Sequence, residues 1–123
     1  MLDQQQLGNA FGFEIRAELV PDDARVEDLG LYSDANIKAW HEDAWSFVGV
    51  VVTASLDGID LGSSSLWGLE YGWLPTAGGF VNPITSTYSS DYLRAVIVDA
   101  TTDAKANLAR LSAEYARIEL SEV

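Results

Sequence analysis

Cysteine is absent from this chain of 123 residues, and basic side chains are scarce, with seven lysines and arginines against nineteen aspartates and glutamates. Without cysteine there is no disulfide, no thiol nucleophile and no cysteine-bound zinc, which suits a reducing cytoplasm. The shortage of basic residues leaves a formal net charge of −12. Such a surface repels nucleic acid and anionic membranes and attracts basic protein surfaces. The composition therefore excludes a basic nucleic-acid-binding domain.

Targeting and membrane-spanning signals are also missing. The N-terminus, residues 1–6, has neither the positive charge nor the apolar stretch of a signal peptide. The longest apolar run, from Phe47 to Val52, contains Gly49 and is too short to cross a bilayer. Because 48% of the residues are hydrophobic and only 21% are charged, the chain can build a core. We expect one soluble cytoplasmic domain over residues 1–123, with no membrane partner.

Catalytic signatures are missing as well. His41 is the only histidine, and its neighbours Glu42 and Asp43 point in other directions along a helix or strand. The triple serine 63–65 has no base at a usable spacing, and no glycine-rich loop followed by lysine cradles a phosphate. The sequence therefore predicts no enzyme, no catalytic residue, no cofactor and no metal site.

The clearest local patterns are those of β-strands. Residues 11–20 alternate, with Phe11, Phe13, Ile15, Ala17 and Leu19 on one face, and Pro21 ends the strand. Residues 45–56 and 59–71 flank Asp57-Gly58, a two-residue turn in which both positions need a positive φ.

This turn predicts a hairpin over about residues 45–71, with a definite register. Leu56 should face Ile59, Ala54 should face Leu61, and Val48 should face Trp67. One apolar face of the hairpin then carries these residues, listed in order: Val48, Val50, Val52, Ala54, Leu56, Ile59, Leu61, Trp67 and Leu69. Trp45 and Trp67 are expected in the core.

Helices are predicted in two places. Ser33 or Asp34 caps a short helix to about residue 43, with Ile37 and Trp40 facing inward. Ser89 or Ser90 caps a long helix over residues 91–119. Its apolar positions recur every three or four residues (Leu93, Val96, Ile97, Ala100, Ala104, Leu108, Leu111, Tyr115 and Ile118). Residues 72–88, rich in glycine, proline and threonine, are expected to form a long surface loop.

These elements predict an α+β fold. An antiparallel sheet of at least three strands, about 11–20, 45–56 and 59–71, should carry the long C-terminal helix across its apolar face. An antiparallel sheet with one wet face explains the alternation in the first strand.

The acidic residues and one tryptophan are the candidates for partner binding. Asp22, Asp23, Glu27 and Asp28 cluster before the first helix, and Glu70 adds charge near the hairpin. Carboxylates at the rim of an interface steer encounter with a basic partner. Trp73 lies in the expected loop and is the candidate anchor, because tryptophan is enriched at binding hot spots. A generally acidic, solvated surface is the alternative interpretation.

Four segments resemble a family of small acidic proteins from phages, plasmids and other mobile elements. They are Trp45-Ser46-Phe47-Val48-Gly49-Val50, Leu61-Gly62, Ser65-Leu66-Trp67-Gly68-Leu69-Glu70 and Asp91-Tyr92-Leu93. The chain departs from the family pattern between Tyr71 and Ser90, where relatives have a short acidic link. The resemblance implies a genetic setting, and by analogy an inhibitor of a host defence, of the anti-CRISPR or anti-restriction type.

Three functions follow as hypotheses. The first is a protein that inhibits a basic or nucleic-acid-binding host protein through its acidic surface, for example as a nucleic-acid mimic, without binding nucleic acid itself. The second is a structural or accessory interaction protein that forms homo-oligomers through a sheet edge or the long helix. The third is a small hydrolase or nucleotide-binding protein that uses residues 72–88.

Overall fold

One antiparallel sheet of five strands forms the centre of the fold. The computed structural model describes residues 3–85 and 90–121. Strand order follows the chain: β1 (Asp3–Ala10), β2 (Phe13–Pro21), β3 (Trp45–Leu56), β4 (Ile59–Leu74) and β5 (Gly79–Val81). The helices are α1 (Val26–Leu29), α2 (Asp34–His41) and α3 (Ser90–Ser121), with a 3₁₀ helix at Pro75–Ala77. The predicted α+β fold, with a long C-terminal helix on an antiparallel sheet, is confirmed.

Two tight turns set the ends of the first four strands. Asp57 and Gly58 have φ of 51° and 79°, as the predicted hairpin turn requires. Phe11 and Gly12 have φ of 54° and 91° and connect β1 to β2 in the same way. The prediction that Phe11 faces the core within the strand was wrong, since this side chain is 61% exposed at the turn. Strand β1 was not predicted, because its run of three glutamines shows no apolar alternation.

The register of the β3–β4 hairpin departs from the prediction at two bulges. Leu56 faces Ile59 as expected, but Ala54 faces Gly62 instead of Leu61. A second irregularity opposite Gly49 then places Val48 against Leu69 instead of Trp67. Gly68 takes a φ of 75°, the left-handed conformation that glycine supplies at such bulges. Each extra residue on β4 shifts the pairing, so a prediction from the turn alone fails beyond Ser55.

The bulges also change which side chains of the hairpin are buried. Val48, Val50, Val52 and Ala54 are buried as predicted. The predictions that Leu56, Ile59 and Trp67 belong to the core were wrong, because all three are exposed. The Trp67 ring lies on Gly49, where any Cβ would overlap it, and Trp67 Nε1 donates to Ser65 Oγ at 3.0 Å.

The first half of α3 packs tightly on the sheet. Val96, Ala100 and Ala104 are buried against a cluster that includes Ile15 and Leu19 of β2. The contact is so close that a Cβ at Gly62 of β4 would collide with the backbone of Ala100 and Ala104. Two side chains of α3 also bond the β4 backbone: Ser63 N–H donates to Asp103 Oδ2 at 3.1 Å, and Asn107 Nδ2 donates to Leu61 O at 2.6 Å.

The second half of α3 leaves the sheet. Its apolar positions continue the predicted stripe, but Leu108, Leu111, Tyr115 and Ile118 are all exposed. The predicted packing of the stripe is therefore confirmed only up to Ala104. The helix begins at Ser90, and Ser89, the other candidate cap, lies outside the described residues.

A second hydrophobic cluster forms around Trp45 and Phe47 at the start of β3, the end away from the Asp57-Gly58 turn. Trp45 is buried as predicted, and Tyr32 packs against both rings with centroids 5.1 and 5.7 Å away. Helix α2 covers this cluster, and Ser33 Oγ caps it by accepting from Asn36 N–H at 3.3 Å, as predicted. Ile37 and Trp40 are partly buried there.

Residues 72–81 do not form the predicted surface loop. Strand β4 continues to Leu74 and pairs with β5 across the 3₁₀ helix. Gly72, taken as a loop signal, instead meets Ala44 and Trp45 with a φ of 128°, where a Cβ would collide. Asn36 Nδ2 holds the 3₁₀ helix by donating to Thr76 Oγ1 at 2.9 Å. Residues 86–88 of the predicted loop lie outside the described residues.

Candidate functional site

An acidic cleft of about 190 Å³ opens beside the start of β3. Strand β2 ends at Pro21, and the chain then turns away after Asp22 N–H donates to Phe47 O at 3.1 Å. Helix α2 ends at His41, with Ala44 N–H bonded to Ala39 O at 2.9 Å. The acidic cleft lies between these two segments and is lined by Asp22, Ala24, Trp40, His41, Asp43, Trp45, Ser46 and Phe47.

Asp22 is held in place by the backbone around it. Its Oδ1 accepts from Ala24 N–H at 3.0 Å, and its Oδ2 accepts from Gly68 N–H at 2.7 Å. The half-buried carboxylate therefore ties the start of the acidic segment to the β4 bulge. This candidate binding residue has a structural task as well, because each oxygen satisfies a backbone donor.

Glu27 and His41 form the rim of the acidic cleft. Glu27 Oε1 is 2.6 Å from His41 Nε2, and Glu27 Oε2 is 3.5 Å from Arg25 Nε. The pKa of Glu27 is lowered, first by a hydrogen bond from its own backbone N–H and, against some desolvation, by His41 and Arg25. Glu27 therefore stays ionised at neutral pH.

Trp40 and Asp43 also line the acidic cleft. The Arg25 guanidinium lies 5.7 Å from the centroid of the Trp40 ring, within the range of a cation–π contact. Asp43 has a φ of 62°, a left-handed conformation that aspartate tolerates at the turn after α2. Both residues stand out in the sequence, but only the fold brings them into one cleft with Asp22.

The segment that surrounds the acidic cleft is strongly charged. Residues 22–43 contain seven of the nineteen acidic side chains and only two of the seven basic ones. Asp23, Glu27 and Asp28 are exposed on this segment beside the cleft-lining Asp22. The four residues of the predicted acidic cluster thus belong to one short stretch of surface.

An exposed aromatic surface lies on the neighbouring strands. Trp73 is 61% exposed, as predicted, although it stands on β4 rather than in a loop. Its ring meets Phe80 of β5 edge to face at 5.2 Å, and Phe80 meets Tyr71 at the same distance. Ser46 of the acidic cleft is the cross-strand partner of Tyr71. Trp73 and Phe80 alternate with Leu74 and Val81 of the Trp45–Phe47 cluster, so the aromatic surface lies at the same end of the sheet but on its other face.

Glu70 lies between these two regions. It is half-buried on β4 opposite Phe47 of β3. The structure therefore brings the acidic cleft, Glu70 and Trp73 to the same end of the sheet, the end opposite the Asp57-Gly58 turn.

The chemistry of the acidic cleft suits a basic side chain. Carboxylates at Asp22 and Asp43 attract a cation, while the indole of Trp40, which already has the Arg25 guanidinium 5.7 Å from its ring centroid, forms an apolar part of the lining. Among residues 3–85 and 90–121, no three aspartate, glutamate or histidine side chains are grouped so that they could hold a metal ion. The same part of the chain has no helix long and apolar enough to cross a membrane.

Comparisons with known proteins add no relative. No protein-family model, no curated protein and no solved structure matches the chain. The resemblance to small mobile-element proteins therefore stays a prediction.

Proposed function

We propose that this protein is a non-catalytic inhibitor that docks its acidic end on the basic, nucleic-acid-binding surface of another protein in the cytoplasm. The observation that carries the proposal is the cleft itself: two carboxylates and an indole ring meet in one concavity at the most acidic part of the chain. Charge alone would also fit a solvated surface, but a concave site with an aromatic wall favours a specific basic partner.

The exposed carboxylates would act on the rate of encounter. Asp23 and Asp28 are exposed, and no salt bridge to a basic side chain is seen for them within the described residues. Charges of this kind raise association rates, and the effect falls as salt screens them. We therefore assign them to steering rather than to the lifetime of the complex.

The aromatic side chains would hold the complex once it has formed. A lysine or arginine of the partner enters the acidic cleft, and Trp73 with Phe80 covers an apolar area of the partner at the same end of the sheet. Desolvated aromatic anchors act mainly on the dissociation rate. The proposed interface therefore combines a basic side chain in the cleft with an apolar contact at the same end of the sheet.

A host defence protein that binds nucleic acid is the proposed target, as the resemblance to mobile-element proteins implies. Duplex DNA carries one charge for about every 1.7 Å of its axis. The acidic segment of residues 22–43 offers seven carboxylates over a short stretch. Competition with DNA for one basic groove needs such a local density rather than a high total charge.

The proposal is tested with an arginine-rich peptide as probe and duplex DNA as competitor. Asp23→Lys combined with Asp28→Lys should weaken peptide binding about tenfold or more at low salt, because two charges that attract the peptide are replaced by two that repel it. A tenfold change in affinity corresponds to about 1.4 kcal/mol. Asp22 is left intact, since its carboxylate bonds the backbone of Gly68. Fluorescence anisotropy measures the affinity, and stopped-flow mixing measures the association rate.

The matched control carries the same change in net charge far from the cleft. Glu14→Lys combined with Asp99→Lys changes two exposed residues on β2 and α3. This control should weaken binding by a small factor only. Equal losses in both variants would mean that net charge alone attracts the peptide, and the acidic segment of residues 22–43 would then not be a docking site.

A second readout uses the natural target. The wild-type protein and the two double variants serve as baits in a lysate of a host that carries defence systems. A target that fits the proposal is captured by the wild type, is lost with the Asp23→Lys, Asp28→Lys variant and is released by added duplex DNA. A captured protein that DNA does not displace would contradict nucleic-acid mimicry.

A further inference from the structure

The last part of α3 is an apolar helix surface that the sheet does not cover. We call residues 108–121 the projecting segment. It begins after Asn107, whose side chain makes the last hydrogen bond from α3 to β4, and extends for roughly 21 Å. Leu111 and Tyr115 in its middle are 46% and 63% exposed. An apolar stripe of this size on an exposed helix is typical of an interface.

The spacing of the stripe is symmetric. Leu108, Leu111, Tyr115 and Ile118 are separated by steps of three, four and three residues, so the pattern is the same in both directions about Ala113. Antiparallel helices that pack in this way place each residue of one helix against the mirror-related residue of the other. Leu108 then packs against Ile118 of a second copy, and Leu111 packs against Tyr115. Every apolar residue of the stripe finds an apolar partner.

The charge of the segment favours the same occupant. Residues 108–121 contain two basic side chains and two acidic ones, a net charge of zero, whereas the rest of the chain carries −12. This helix end is therefore a surface on which two copies of so acidic a protein can meet without strong repulsion. Antiparallel pairing also keeps the two acidic bodies at opposite ends of the helix pair.

Lys105 lies at the border between the packed part of α3 and the projecting segment. In the single chain, Lys105 Nζ lies 5.3 Å from the ring centroid of Phe11, at the point where α3 leaves the sheet.

We propose that the projecting segment forms an antiparallel helix pair with the same segment of a second copy, making the protein a homodimer. The described length of α3 fits this arrangement. With Ala113 at the centre, residue 121 of the second copy reaches the level of Lys105, where α3 leaves the sheet. This inference uses a different surface from the acidic cleft and stands or falls separately from the proposed function.

The oligomeric state of the full chain tests the proposal directly. Light scattering after size exclusion should give twice the mass of one 13.4 kDa chain. Leu111→Glu should raise the dimer dissociation constant about a hundredfold or more, because a charge would be buried at the centre of the interface. Leu31→Glu is the matched control, since Leu31 is 86% exposed away from α3, and this variant should remain dimeric. Circular dichroism checks that both variants are folded.

Single cysteines test the orientation, because the natural chain has none. Ser112→Cys lies on the facing flank close to the two-fold axis and should form a disulfide-linked dimer under mild oxidation. Ala113→Cys, one residue later on the far side of the helix, should not. A monomer at every concentration, or a dimer that Leu111→Glu leaves intact, would overturn the proposal. Crosslinking through Ile118→Cys, which only parallel helices bring together, would overturn the antiparallel arrangement.

Discussion

The two halves of α3 carry one continuous apolar stripe and have opposite surroundings. From Val96 to Ala104 the stripe is buried against β3 and β4, whereas from Leu108 to Ile118 it is exposed. The helix is unbroken between them, although Thr101 and Thr102 have poor helix propensity. Both threonine hydroxyls donate to carbonyls of the preceding turn, which keeps these polar groups bonded.

The sizes of the side chains distinguish the two halves. The packed half uses Ala100 and Ala104, and these small residues let the helix backbone approach Gly62 of β4. The exposed half uses leucine, tyrosine and isoleucine, which leave a helix surface too bulky for such an approach. An apolar stripe therefore shows which face of a helix needs a partner, and the residue sizes within it indicate what kind of partner fits.

The largest expected effect comes from removing the close approach in the packed half. Gly62→Ala should lower the free energy of unfolding by about 2–3 kcal/mol, because the new Cβ collides with the backbone of α3 and either the helix or the strand must move. Gly79→Ala on β5 is the matched control, since a Cβ there meets nothing within 4 Å. Urea unfolding of both variants measures the difference. Equal stabilities would mean that α3 is not seated on Gly62.

An effect of intermediate size is expected when one apolar side chain is truncated in each half of the stripe and the two variants are compared. Val96→Ala should destabilise the fold by about 1–3 kcal/mol, because it leaves a cavity in the core under α3. Leu111→Ala, measured at a chain concentration low enough to keep the protein monomeric, should change stability by no more than about 0.5 kcal/mol. A large loss for Leu111→Ala under these conditions would show that the projecting segment packs within its own chain.

The smallest expected effect concerns the polar contacts at the border between the halves. Asp103→Ala or Asn107→Ala should each cost about 1 kcal/mol, because each leaves a β4 backbone group without its side-chain partner. Asp99→Ala, one turn earlier and exposed, should be nearly neutral. Thermal unfolding of the three variants provides the comparison, and a neutral result at both border positions would argue that water replaces these bonds.

Much of the fold could be predicted from local pattern. The alternation in β2, the Asp57-Gly58 turn and the long stripe of α3 each follow from one strong local signal, and the structure contains all three elements. Strand β1 escaped prediction because its glutamines pair through the backbone without an apolar face. The predicted register of β4 was wrong because bulges depend on tertiary packing: Gly68 takes a left-handed φ, and the neighbouring Trp67 ring lies on Gly49 of β3.

The candidate site was predictable only in part. The acidic stretch from Asp22 to Asp28 and the exposure of Trp73 follow from composition and from the amphipathic pattern. The cleft does not, because Trp40, His41 and Asp43 meet Asp22 only after α2 folds back onto Trp45 and Phe47. Asp22 shows the limit most clearly: its sequence context suggests a free surface charge, while its carboxylate bonds Gly68, 46 residues away.

Strand β3 sets a fixed distance inside the molecule. The acidic cleft lies at its first residues and α3 leaves the sheet near its last, so the two proposed surfaces are separated by about 35 Å of rigid strand. If the projecting segments pair as proposed, the dimer carries two clefts that face away from each other at its far ends. Such a molecule acts as a bivalent ligand. It would bind a target with two basic grooves at a matching spacing about 10²–10⁴ times more tightly than a target with a single groove. A target with one groove would gain no affinity from the second cleft. The length of β3 therefore helps to determine which targets the dimer binds most tightly.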